Sequence, residues 1–321
     1  MKQEPPEVRT WVAEFGADRM DRALVTAFPD LSRARVQALI LEGCIRVDGE
    51  PVKASDRPRL GTTVTVELPS ARPAEPLPQD LPLPILYQDD DLLVVVKPAG
   101  MVVHPAPGHY DGTLVNALLH HATGLSGIGG VARPGIVHRL DVGTSGVMVV
   151  AKHDTIHRAL TEQFTVHSVE RRYFAMVHRV PLVDRGTFRS QLARDPEDRL
   201  RIASVESGGR HAITHWEMKA KGDRVALVEC RLETGRTHQV RVHLSEAGHP
   251  IVGDRTYNRR DCIPTAALRT QVEALSHPLL HAWLLAFDHP GTGERVRFVA
   301  PPPDDFIEIC GSAGLAIPPV R

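Results

Sequence analysis

The sequence predicts an α+β fold, a mixed and mostly antiparallel sheet around a central cleft, preceded by a small helical module. Three observations carry that prediction. Seven short runs rich in β-branched and aromatic residues crowd residues 91–299, only three helical patterns interrupt them, and turn signals such as Lys221-Gly222-Asp223 and Pro290-Gly291-Thr292-Gly293 join them at hairpin distance. At 321 residues, with 42% hydrophobic and 24% charged side chains, the chain has ordinary globular composition and room for about two domains.

The elements are justified in chain order. In a first domain over 12–68, Asp18 is placed to cap a helix carrying Met20, Leu24 and Ala27, and Ser32 to cap a second with Val36, Leu39 and Ile40. Residues 45–52 then read as strand, Asp-Gly turn and strand. Residues 69–83 are proline-rich and predict a semi-extended linker. In the second domain, 84–321, strands are predicted at 91–97, 146–152, 172–178, 214–220, 224–232, 282–287 and 295–299, and helices at 113–121, 154–167 and 237–246, the first two opening on capping residues. No internal repeat is evident.

One segment concentrates the chemistry. Val137-His138-Arg139-Leu140-Asp141 precedes a Gly/Thr/Ser turn and the apolar run 147–151. If 137–141 is extended, its period of two sends Arg139 and Asp141 to one face and His138 and Leu140 to the other. The turn leaves the chain exposed there, so a cation and an anion share one cleft wall. Spacing alone favours a solvated surface pair.

The segment resembles the HRLD-x-x-TSG signature of the RluA/RluD family of RNA pseudouridine synthases. Lys97-Pro98-Ala99-Gly100-Met101-Val102-Val103-His104-Pro105 is similar to that family's KPxGxxVHP run, and residues 232–241, LETGRTHQVR, to its LxTGRTHQIR run. His249–Asp254 and Leu280-His281-Ala282 fall where the family has similar stretches. Val142-Gly143 departs from the polar pair many members carry after the aspartate. The first domain resembles the alpha-L RNA-binding module of a small-subunit ribosomal protein, with Arg33 and Arg35 at the start of its second helix; a plain helical subdomain with solvated arginines is the alternative.

The resemblance implies a pseudouridine-synthase-like fold and an isomerase that needs no cofactor. Breaking the N1–C1′ bond of uridine, rotating the uracil and joining C5 to C1′ asks for an ionised carboxylate, acting covalently or electrostatically. It implies Asp141 as that carboxylate, Tyr173 as the platform under the base and Arg236 as the guanidinium paired with Asp141, without which a water-poor cleft would favour the neutral acid. Arg139 would fill the stack vacated by a flipped uridine. Arg171, Arg172 and Arg241 complete the expected RNA contacts. His138 faces the other way and reads as a structural histidine.

The RluD-like branch implies large-subunit ribosomal RNA as partner; transfer RNA, or a non-catalytic RNA-binding or ribosome-assembly role, are the alternatives. A glycosidase using Glu233 as a second carboxylate would instead release base or sugar. A formal charge of -1 argues against a uniformly basic binder, so any phosphate-binding surface must be a local patch, for which 32 of the 38 basic residues being Arg is suited. The 17 histidines show no metallohydrolase spacing, no GxxxxGK loop occurs, and the four cysteines, Cys44, Cys230, Cys262 and Cys310, are scattered, so neither metal, nucleotide nor disulfide is expected. With no apolar run near the ~20 residues of a membrane span, a cytoplasmic monomer is expected.

Overall fold

The computed structural model describes residues 7–14, 18–68, 76–106, 109–122, 124–128, 133–198, 201–258 and 265–320. Two compact units divide the chain: Met1–Glu75 with Ala106–Tyr110, and Pro76–Pro105 with Asp111–Arg321.

The smaller unit runs β1 (Glu7–Val12), α1 (Met20–Ala27), α2 (Arg33–Leu41), β2 (Ile45–Val47), β3 (Glu50–Pro51) and β4 (Thr63–Leu68), with an antiparallel sheet ordered β1-β4-β2-β3. Met20, Leu24, Val36, Leu39, Ile40, Ile45, Val64 and Val66 form its core. Asp48 and Gly49 both take positive φ, the requirement of the two-residue turn read from the Asp-Gly pair. Ser32 caps α2 by accepting from the Arg35 amide at 3.2 Å. Asp18 does not cap α1: it accepts from the adjacent Arg19 amide, and Arg19 occupies the cap position.

Arg33, expected to contact RNA, is exposed and also has a task inside the fold. Asp21 is fully buried, and Arg33 donates to it through Nε and Nη2 at 3.0 and 2.9 Å, alongside Arg19 and Gln37. The Arg19 hydrogen bond, with those of Gln37 and Arg33, overcomes burial and holds the Asp21 carboxyl well below the usual range. A buried acid must be paired, and Arg33 ties α2 to α1 for that reason. Arg35 is exposed.

In the larger unit come β5 (Ile85–Gln88), β6 (Leu92–Lys97), α3 (Leu114–His121), β7 (Ser145–Ala151), α4 (Asp154–Thr165), β8 (Glu170–His178), β9 (Arg185–Arg194), β10 (Ile202–Val205), β11 (Arg210–Lys221), β12 (Val225–Leu232), α5 (Gln239–Glu246), α6 (Ala266–Ala274), β13 (Leu280–Asp288), β14 (Arg295–Val299) and α7 (Asp304–Ser312). One sheet is ordered β10-β9-β11-β12-β8-β13-β7-β6-β5, with β14 on β13, and only the β13–β7 pairing is parallel. There Gly146, at φ +132°, lies so close to Ala282 that a Cβ would land on its carbonyl.

Alternate residues of the strands feed opposite cores. Leu93, Met148, Tyr173, Val228 and Leu232 pack with α3 and α5, whereas Phe174, Met176 and Leu227 pack with α6 and α7, and Val94, Val149 and Phe287 with α4. Thr113 forms a capping box with Asn116 at the start of α3. The expected linker is corrected in part. Residues 69–75 lie outside the described residues, while Leu77 and Leu81 accept from Asn116 and His121 of α3 and Leu83 is buried, so 76–83 is docked rather than free. No helix among the described residues is long and apolar enough to cross a membrane.

Buried histidines, His281 and His243 among them, give this unit an acid sensitivity. His281 accepts from Ser145 at Nδ1 and donates from Nε2 to the Ala300 carbonyl, while His243 joins Thr214 and Ser190. Burial pushes both pKa values down to about 4. Because the unfolded chain binds these protons near ~6.5, stability falls as pH drops from about 6.5 towards 4, by about 1.4 kcal/mol per pH unit for each histidine. With His138, which burial pushes down to about 3, urea midpoints measured through that window should show a dependence of at least three protons, and His281→Asn should lower it by about one.

Candidate active site

A cleft of about 430 Å³ opens in the larger unit, lined by residues 137–141 and 144, the end of α4, β8 and the segment leading from β12 into α5. Residues 137–141 lead into β7 and belong to no strand themselves. The alternation nevertheless holds. Leu140 joins the core and the His138 ring stacks on Phe164 at 4.6 Å, its Nε2 accepting from the Val149 amide. Burial, with the Arg171 charge, pushes His138 down to about 3, so it stays neutral. Arg139 is exposed at the rim and Asp141 is partly open at 16%.

The Asp141 loop is pinned from beneath. Val142 O accepts from the Gly100 amide at 2.8 Å and from Lys97 Nζ at 3.3 Å, and the same ammonium donates to Pro98 O and Met101 O. Lys97 is wholly buried, which lowers it to about 7 against the opposing pull of Asp141. Three carbonyls accept its three protons, the environment of an ammonium rather than an amine. The Asp141 carbonyl accepts from the Thr144 amide at 3.0 Å and closes the turn.

The guanidinium that meets Asp141 is Arg241, not Arg236. Arg241 Nη1 lies 3.4 Å from Asp141 Oδ2, while its Nε and Nη2 grip the two oxygens of Asp254 at 2.7 and 2.9 Å and its plane lies over Tyr257. Burial alone would lower this arginine, but the Asp254 hydrogen bonds and the charges of Asp254 and Asp141 hold it above its ordinary value. Arg236 lines the cleft from the turn before α5, its Nε donating to the His211 carbonyl. The reason is helical phase. His238, in the left-handed region at φ 56°, ends the turn, and Arg241 on the first turn of α5 then points inward. Arg241 is therefore a buried ion-pair centre rather than the surface RNA contact expected. Asp254, in the His249–Asp254 run, carried no expectation of its own; a lone acid in an apolar stretch was its only signal.

On β8 the period of two divides the neighbours. Arg171 and Tyr173 line the cleft; Arg172, expected to contact RNA, faces the other side, paired with Glu170 at 2.6 Å and Glu229 at 3.2 Å. Burial raises the Tyr173 hydroxyl to about 12, Asp141 adding to the rise and Arg171 opposing it, and no described residue hydrogen-bonds it. It is a neutral phenol facing an open cavity. Glu233 is not among the lining residues and is held by His215 Nε2 at 2.5 Å. Among the described lining residues Asp141 is thus the single carboxylate beside four arginines, Arg139, Arg171, Arg236 and Arg241, which supplies the local basic patch that the net charge required. Among the described residues no group of three or more His, Cys, Asp or Glu is arranged to hold a metal ion.

Known proteins share this architecture. Residues 91–246 match the family described as RNA pseudouridylate synthase, and residues 18–64 match the S4 domain. The chain is 47% identical to the ribosomal large subunit pseudouridine synthase D of Zymomonas mobilis, over 94% of this chain and 96% of that protein. It is 41% identical to the protein of the same name from Pseudomonas aeruginosa, over 92% and 91%. Among solved structures, human RNA pseudouridylate synthase domain containing 4 superposes with a TM-score of 0.58 at 25% identity, covering 74% of this chain and 95% of that one.

Proposed function

This chain belongs to the RluA-type RNA pseudouridine synthases, and from that premise we propose that it converts selected uridines of large-subunit ribosomal RNA to pseudouridine through Asp141. The observation that carries the assignment of Asp141 is its isolation: one carboxylate, in contact with a guanidinium from another element, in a cleft otherwise rich in cations. An anionic polymer enters such a cleft, and one acid suffices for an isomerisation in which nothing is oxidised, transferred away or hydrolysed. Among the described residues no second carboxylate lines the cleft, which disfavours glycoside hydrolysis, a reaction that uses a pair.

Asp141 acts at the sugar and base while the N1–C1′ bond breaks, the uracil turns, C5 joins C1′ and the C5 proton leaves. Tyr173 lies under the base with its hydroxyl free to donate, and Arg241 holds the Asp141 carboxyl in place. The ribosomal substrate is supported by the relatives' names and by the S4 domain, whose exposed Arg35 is available to phosphate. The reading carries with it a cytoplasmic monomer working without a cofactor.

Ribosomal RNA tritiated at uridine C5 tests this directly. Release of tritium to solvent with retention of the base, mapped to discrete large-subunit positions, is the expected result; release from transfer RNA instead would reassign the substrate, and free uracil would overturn the reaction. Arg139 enters as the group that takes the place of the flipped base, since it lies at the rim two residues before Asp141. Arg139→Ala should slow turnover at least ~10-fold more on a stable stem than on a target already unstacked in a loop, because unstacking costs a few kcal/mol. Equal losses on both substrates would remove that role.

A further inference from the structure

Among the cleft's described cations, isomerisation gives Arg171 no task. Arg171, near the start of β8, is 7% exposed, as is Arg241. Their partners differ sharply. Arg241 is held by two carboxylates, whereas Arg171 has no acid partner among the described residues and makes one hydrogen bond there, from Nη2 to the Glu233 carbonyl at 3.0 Å. Its Nε is sealed from solvent with no acceptor, and its guanidinium lies over Phe164 at 5.6 Å. Burial, together with the like charge of Arg236, lowers its pKa despite the favourable neighbourhood of Tyr173.

A buried charge without a counter-charge is a large cost that folding alone gives no reason to keep. The surroundings nonetheless preserve it. A Cβ on Gly235 would fall 2.5 Å from Arg171 Nη1, so the glycine of the Thr-Gly-Arg run keeps room for that nitrogen, which no described residue accepts from. Phe164 belongs to the last turn of α4, and Thr165 and His167 beside it also line the cleft. Aromatic face, glycine gap and polar helix end together form a seat for a guanidinium with its outer edge unoccupied.

We propose that Arg171 receives a backbone phosphate flanking the everted uridine, so that the substrate RNA supplies the anion the folded protein lacks. The inference rests on the cleft being the uridine site and adds the chemistry of one further subsite. Arg, with its planar fork, fits a phosphate oxygen pair that a lysine ammonium would meet at one point only.

The test uses the full chain, with Arg171→Met and Arg171→Lys, on an unmodified large-subunit ribosomal RNA fragment and then on a synthetic stem-loop carrying a mapped target. Arg171→Met should unfold at a urea concentration no lower than the parent, since it removes an unpaired charge. Its RNA affinity should fall by about 10- to 100-fold, and the slope of log affinity against log salt should flatten by about 0.7 to 0.9, one phosphate's worth. Arg171→Lys should recover the slope but only part of the affinity. A single uncharged methylphosphonate placed in turn on either side of the target should weaken the parent at one position and leave Arg171→Met unaffected there. A destabilised Arg171→Met with an unchanged slope would make the residue structural and overturn the proposal, as would equal methylphosphonate sensitivity in both proteins. Affinity is read without turnover, so tritium release by the parent reports separately on the isomerase reading.

Discussion

Asp141→Asn is expected to abolish tritium release from C5-labelled RNA, with a loss of at least about 10⁴-fold, while RNA binding stays within a few-fold of the parent or tightens. The asymmetry follows from the cleft. The carboxylate repels phosphate in the ground state and is useful only as the glycosidic bond breaks. Stability should barely move, because Arg241 holds Asp254 at 2.7 and 2.9 Å and Asp141 at 3.4 Å, so its main partner remains when Asp141 is neutralised. Urea unfolding should therefore place Asp141→Asn within about 1 kcal/mol of the parent. Residual isomerisation near the parental rate would remove Asp141 from the mechanism.

Arg241→Met is expected to fail in both respects. Asp254 is 1% exposed at its side chain, and losing its guanidinium strands a buried carboxylate at a cost of about 3 to 5 kcal/mol. Activity should fall with it, since Asp141 loses the cation that orients it. Adding Asp254→Asn to Arg241→Met should restore much of the stability and none of the activity, which separates the two duties. Arg236→Met, by contrast, breaks a bond to the His211 carbonyl and leaves no acid unpaired, so it should cost about 1 kcal/mol or less. Reversed magnitudes for Arg236 and Arg241 would overturn the pairing described.

The contrast between these arginines also marks where sequence reading stops. Strands such as β6, β7 and β12 were legible because buried β-branched runs declare themselves, and the inward and outward sides of 137–141 followed from alternation even though that segment pairs with nothing. β9, RGTFRSQLAR, passed unread because one of its faces is solvated and charged. α7 had a usable signal, three prolines followed by Asp304 and Asp305 and then Phe306, Ile309 and Cys310 at helical spacing. Which of several arginines meets Asp141 had none, because it depends on how α5 docks. Arg33 pairs with Asp21 for a readable reason: an acid among Met20, Ala23 and Leu24 on the apolar side of α1 needs a cation from its neighbour.

The splice of β13 between β7 and β8 has a consequence for how the protein is born. Asp141 precedes β7, and Tyr173 lies on β8, yet those consecutive strands touch only through a strand that begins at Leu280. A growing polypeptide has thus exposed both open edges about 110 residues before the piece that joins them exists, which at ~5 to 20 residues per second is an interval of roughly 5 to 20 s. Until β13 has been made the catalytic halves wait apart, each edge a template for the wrong neighbour.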